Sequence, residues 1–191
     1  MVVLLISSGF MYIVARLNYL LFHVIAEGFA IVVASLIYVL AIRTYKYSKN
    51  YILMFLGKTY FYVAVLDFFH MLTYKGMGIF PGYGPDVPTQ LWIAGRFLEG
   101  LAFVAMLYIR KEHVNRRVLT LVYTIVCTGT ILSIMVFGVF PTCYVDGEGL
   151  TSFKIISEYI ISTAILFSAY ILYKRKISTG NETYRIVVLS M

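Results

Sequence analysis

A chain of 191 residues, 61% apolar and only 13% charged, carries more hydrocarbon than a water-soluble fold of that size can hide, which excludes an ordinary soluble domain. Its formal charge of +7 does not mark a nucleic-acid binder, because the basic residues close apolar runs and form no stripe interleaved with aromatics. The two cysteines, Cys127 and Cys143, are too few for a disulfide framework and wrongly grouped for a zinc finger.

A helix that crosses a bilayer needs about 20 mostly apolar residues. The first apolar stretch, residues 2–15, ends at Arg16 and Asn18 and lacks the basic start and cleavage site of a signal peptide, so it reads as a shortened first span. Residues 17–42 form a full-length span, followed by Arg43, Lys46 and Lys49. The next, 51–74, holds Lys58 near its start, where the long stem is expected to snorkel back to the headgroups. Then come 89–109, trailed by Arg110, Lys111, Arg116 and Arg117; 118–140; and 153–173, closed by Lys174, Arg175 and Lys176. A further span begins at 186–191. The expected fold is an all-α, polytopic membrane helix bundle of six to seven spans, one domain over 1–191 whose last span is cut off at Met191.

Charge sorts the connections. Segments 43–50, 110–117 and 174–185 are basic, whereas 75–88 and 141–152 carry Asp86, Asp146 and Glu148 with almost no Lys or Arg. The positive-inside rule puts the basic loops in the cytoplasm and makes the chain a multi-pass protein of the plasma membrane. His113 falls in a basic loop and reads as solvated, while Trp92 and the 17 tyrosines read as interface anchors and packing. Segment 75–88 has four glycines and three prolines, cannot continue a helix, and is expected to cap the outer face with Lys75, Gly76, Pro81, Gly82 and Tyr83. Its glycine spacing matches no phosphate-binding loop.

Ionisable side chains inside hydrocarbon cost roughly 2.5–3.5 kcal/mol each on insertion scales, so each requires a partner or a purpose. Seven occur here. His23 and Glu27 lie four apart on one helical face, Asp67 and His70 three apart on another, Arg96 and Glu99 three apart on a third, and Glu158 stands on a fourth. At 1.5 Å per residue, all seven fall about 6–15 Å below the outer ends of their helices. A single buried polar site beneath the cap satisfies them together more cheaply than lipid exposure.

The donor types leave several chemistries open. Two histidines with carboxylates suit a divalent metal, with His23, His70, Glu27 and Asp67 as candidate ligands. A histidine pair also suits haem, and clustered His and carboxylates suit a proton-responsive switch. Against these stand plainer roles: an Arg96–Glu99 ion pair within one helix, and a structural Asp67–His70 pair. There is no HExxH or comparable motif, and this chain is not expected to be an enzyme. A small transporter or channel subunit using the same polar residues is the alternative to a sensor.

In the segments NYLLFHVIAEGFAIVVA (18–34), LDFFHMLTYKGMGIFPGYG (66–84), PTQLWIAGRFLEG (88–100) and FKIISEYIIS (153–162), the chain resembles the third type of membrane-associated sensor domain, of the MASE group. Such domains precede histidine kinases and diguanylate cyclases in bacteria and archaea. The resemblance implies a sensory input module with His23, Glu27, Asp67, His70, Arg96, Glu99 and Glu158 on its characteristic polar positions. It also implies a cytoplasmic output domain in the same polypeptide, beyond residue 191. Membrane lipid is the other expected partner, together with a second copy of the chain as a homodimer.

Overall fold

The computed structural model describes residues 2–108 and 115–179. In chain order it comprises α1 (Val2–Leu17), α2 (Tyr19–Ser48), α3 (Tyr51–Thr73), α4 (Asp86–Met106), α5 (Arg116–Met135), a small ribbon of β1 (Tyr144–Val145) and β2 (Gly149–Leu150), and α6 (Ser152–Thr179). The ribbon is antiparallel, with Tyr144 opposite Leu150.

Three of the helices begin on an asparagine whose side-chain oxygen accepts from the first free backbone amides. Asn18 takes Leu21, Asn50 takes Ile52 and Leu53, and Asn115 takes Arg117 and Val118. Asn18 is extended, so it breaks α1 from α2, and α2 ends where Lys49 adopts a left-handed conformation.

Six to seven spans were expected, but among the described residues four helices are long and apolar enough to cross a membrane: α2, α3, α5 and α6. At 16 residues, α1 is too short. Carrying Asp86, Arg96 and Glu99, α4 serves as an interior helix, with Leu91 and Ile93 wholly buried. Boundaries shift for local reasons. Arg43 and Lys46 continue α2 to Ser48, since neither breaks a helix. Asp86 and Pro88 both fit a first helical turn, so α4 starts three residues before Thr89. Instead of running to Phe140, α5 stops at Met135, and the chain turns at Gly138, whose φ is +58°. The stretch at 186–191, and His113 with Arg110 and Lys111, lie outside the described residues.

The core lies between α3 and α4, where Leu66, Leu91, Phe103 and Met106 meet. Small residues allow close helix contact, as in other membrane bundles. A Cβ on Gly57 of α3 would overlap the Ala41 Cβ of α2, and one on Gly100 of α4 would lie 3.3 Å from Ile161 of α6. The outer helices turn Phe29, Leu40, Ile125, Leu166 and Phe167 away from the protein, as lipid-facing surfaces do.

Toward its basic end, α3 is joined to α5 by polar contacts. Lys58, expected to snorkel, is buried and donates to the Arg116 carbonyl at 2.7 Å and to the Thr120 hydroxyl. One and four residues on, Thr59 bonds Tyr123 at 2.6 Å and Tyr62 bonds Thr124 at 2.7 Å.

Candidate functional site

The opposite end of the bundle, near the 74–85 loop, gathers the ionisable residues. Early in α2, His23 and Glu27 face α3, where Asp67 and His70 stand one turn apart near the C-terminus. From α4, Arg96 reaches across to Asp67 through two hydrogen bonds of 2.8 and 3.1 Å and binds Glu99 on its own helix at 2.8 Å. Both bonds to Asp67 leave the single nitrogen Nη2, and Nη1 serves Glu99, so one guanidinium bridges two carboxylates by charge-assisted bonds. Gly95 makes room for it, since a Cβ there would sit 3.4 Å from the Asp67 carboxylate.

One atom each of His23, Glu27 and His70 lies within 4.8 Å of the other two. His70 is buried, and its Nδ1 lies 2.7 Å from the Pro88 carbonyl at the start of α4. A carbonyl can only accept, so Nδ1 carries the proton and, in the neutral ring, Nε2 keeps its lone pair. The His23 ring stacks on Tyr74 with centroids 3.8 Å apart and meets His70 edge-on at 5.2 Å. Its Nε2 is buried without a hydrogen-bond partner, as is the Arg96 Nε. Glu27 lies within electrostatic reach of His70, Asp67 and Arg96, which joins the two halves of the cluster.

Glu158 is placed apart. It pairs with Lys154 one turn earlier on α6, at 2.6 Å, and lines a groove of ≈ 380 Å³ with Trp92 and Arg96. The Lys154 ammonium also lies 4.8 Å from the centre of the Trp92 ring, so Trp92 receives a cation and is more than an anchor. Thus α2, α3 and α4 bring together six of the seven sequence-predicted residues, and Glu158 faces Arg96 from the far side.

In the overlying loop, Gly76 and Gly82 have φ of +101° and +103°, which other residues rarely adopt. Tyr83 donates to the Met135 carbonyl at the end of α5, at 2.9 Å, while Lys75 and Pro81 are exposed. Three contributions escaped the sequence reading. Tyr74 packs His23, Lys154 neutralises Glu158, and Asp86 ties the ribbon down by accepting from the Cys143 and Tyr144 amides at 2.7 and 2.8 Å. Asp86 and Pro88 in succession were a signal for a helix start. The Cys143 thiol is free, and burial with the Asp86 charge beside it pushes its pKa up to about 12.

Four helices long and apolar enough to cross a membrane, with an ionic layer held between α2, α3 and α4, fit a polytopic membrane domain. The sequence matches the MASE3 membrane-associated sensor domain over residues 14–191, and the chain belongs to that family. No curated protein and no solved structure matches it. Family membership makes this a sensory module that is not itself catalytic.

Proposed function

We propose that the chain is the input domain of a signal-transduction protein of the plasma membrane, and that it senses at the layer formed by His23, Glu27, Asp67, His70, Arg96 and Glu99. In this reading Glu158 borders the layer from α6. The observation that carries it is the convergence of side chains from three helices on a cluster that retains unpartnered polar atoms on His23 and Arg96. A purely structural network closes its hydrogen bonds, whereas a recognition site keeps some for its ligand.

The basic loops face the cytoplasm, the 74–85 loop faces outside, and the layer lies in the outer half of the bilayer. Below the layer, α2 packs closely on α3 at Ala41 and Gly57, which gives α2 a fulcrum. Occupancy that draws the outer end of α2 toward α3 then displaces its cytoplasmic end, where an output domain such as a histidine kinase or diguanylate cyclase takes the signal. The stimulus must bind one packing better than the other, since equal affinity shifts nothing.

Spin labels at Tyr47 on α2 and Tyr173 on α6, both exposed, test this in nanodiscs by pulsed dipolar spectroscopy. The distance is expected to change across pH 5–8 or on adding divalent metals, and to stay fixed when His70→Ala and Glu27→Gln are combined. A distance indifferent to every condition would remove the sensor reading. A cysteine at exposed Ile79 should label from outside intact cells, and labelling only after permeabilisation would invert the topology. The transporter alternative predicts ion flux in proteoliposomes, which the sensor reading expects to be absent.

A further inference from the structure

Resting on that sensory reading, we infer the ligand class: His23, Glu27 and His70 hold one divalent transition-metal ion, leaving a coordination position open. Two imidazoles and a carboxylate are a set that zinc and its neighbours accept, with the fourth place left to water or an incoming group. His70 is prepared for this by its Nδ1–H bond to the Pro88 carbonyl, which fixes the ring and leaves Nε2 as its ligand atom, as outer partners of metal-binding histidines do. His23 Nε2 is buried with no other partner. Asp67 is excluded from the ligand set because Arg96 holds both of its oxygens.

Charge points the same way. With both histidines neutral and the carboxylates ionised, Glu27, Asp67 and Glu99 stand against Arg96 alone, a surplus of two negative charges that one divalent cation cancels. Haem ligated by both histidines does not fit, since their ring centroids are 5.2 Å apart and a macrocycle has no room between them. Tetrahedral ligation at 2.0–2.2 Å needs ligand atoms about 3.3 Å apart, against the 4.8 Å limit of the present spread. Because His23 and Glu27 stand on α2 and His70 on α3, whatever closure ligation needs draws α2 toward α3, the motion that the sensory reading requires.

Zn²⁺ and Co²⁺ serve as probes for purified chain in nanodiscs, with metal content, titration calorimetry and the Co²⁺ visible spectrum as readouts. One ion per chain is expected, with Co²⁺ bands of four-coordinate nitrogen and oxygen ligation. His23→Gln, Glu27→Gln and His70→Ala should each weaken binding about 100-fold, while His113→Ala should not. A wild-type chain that takes up no ion, or variants that all bind alike, would overturn the inference even if one variant failed to fold. Helix distances that still respond to pH without metal uptake would sink the metal and leave the sensor standing. Metal uptake with unmoved helices would do the reverse.

Discussion

The two halves of α3 carry similar numbers of polar groups and use them differently. Toward its basic end, Lys58, Thr59 and Tyr62 each find a partner on α5, mostly neutral hydroxyls and carbonyls that need nothing further. Toward the loop end, Asp67 and His70 meet ions and ring nitrogens from α2 and α4, and atoms of His23 and Arg96 stay unpaired. The first arrangement is a fastener and the second an open site. Polarity inside a membrane bundle is therefore a poor guide to function until the satisfaction of each atom is counted.

Arg96 offers the largest test of that contrast. Arg96→Met strands the buried Asp67 carboxylate and the half-buried Glu99, and removing one partner of a buried pair typically costs about 3–5 kcal/mol. Thermal unfolding in detergent should show a loss of that order, partly recovered by adding Asp67→Asn. Lys58→Met should cost less, about 1–2 kcal/mol, because the Arg116 carbonyl it leaves still accepts from Thr120 at 2.9 Å. Metal uptake should survive Lys58→Met unchanged, which separates the fastener from the site.

How far the sequence reaches follows the same division. Helices, their order and the ionic layer were legible because apolar runs and costly charges write themselves in spacing. The role of α4 was not, since residues 89–109 are apolar enough to read as a span, and only the helices beside it show that Arg96 and Glu99 sit in an interior helix. The partner of Lys58 was not legible either, since which carbonyl a lysine finds near the basic end depends on which helix lies beside it. Glu158 was assigned to the common layer by depth alone, but depth does not say which way a helix is turned, and Lys154 holds it on the far side of Arg96. The clamp of Asp86 on the 143–144 backbone joins residues 57 and 58 apart in sequence, which no local pattern encodes.

Smaller effects sharpen the contrast further. Tyr62→Phe removes the hydroxyl's bonds to Thr124 and to the Thr120 carbonyl, and at an average of about 0.6 kcal/mol for such bonds in a bilayer, where the opened chain finds other partners, the two together come to about 1.2 kcal/mol. The unfolding free energy in mixed micelles should fall by no more than roughly that, with helix distances and metal content untouched.

His23→Phe should have the smallest cost and carries the most information. Phenylalanine keeps the ring stacked on Tyr74 and removes the buried Nε2 that has no partner, so the folded chain loses no hydrogen bond on that atom and sheds a desolvation penalty. Thermal stability should change by less than about 0.5 kcal/mol or rise slightly, a size typical of substitutions that break no named contact. Metal uptake and the distance response should nevertheless disappear. A ring nitrogen that costs the folded state energy, where a phenyl ring would pack as well, is there for what it binds. If His23→Phe instead destabilised the protein by as much as Arg96→Met, the histidine would belong to the structural network after all, and the division between the two halves of α3 would dissolve.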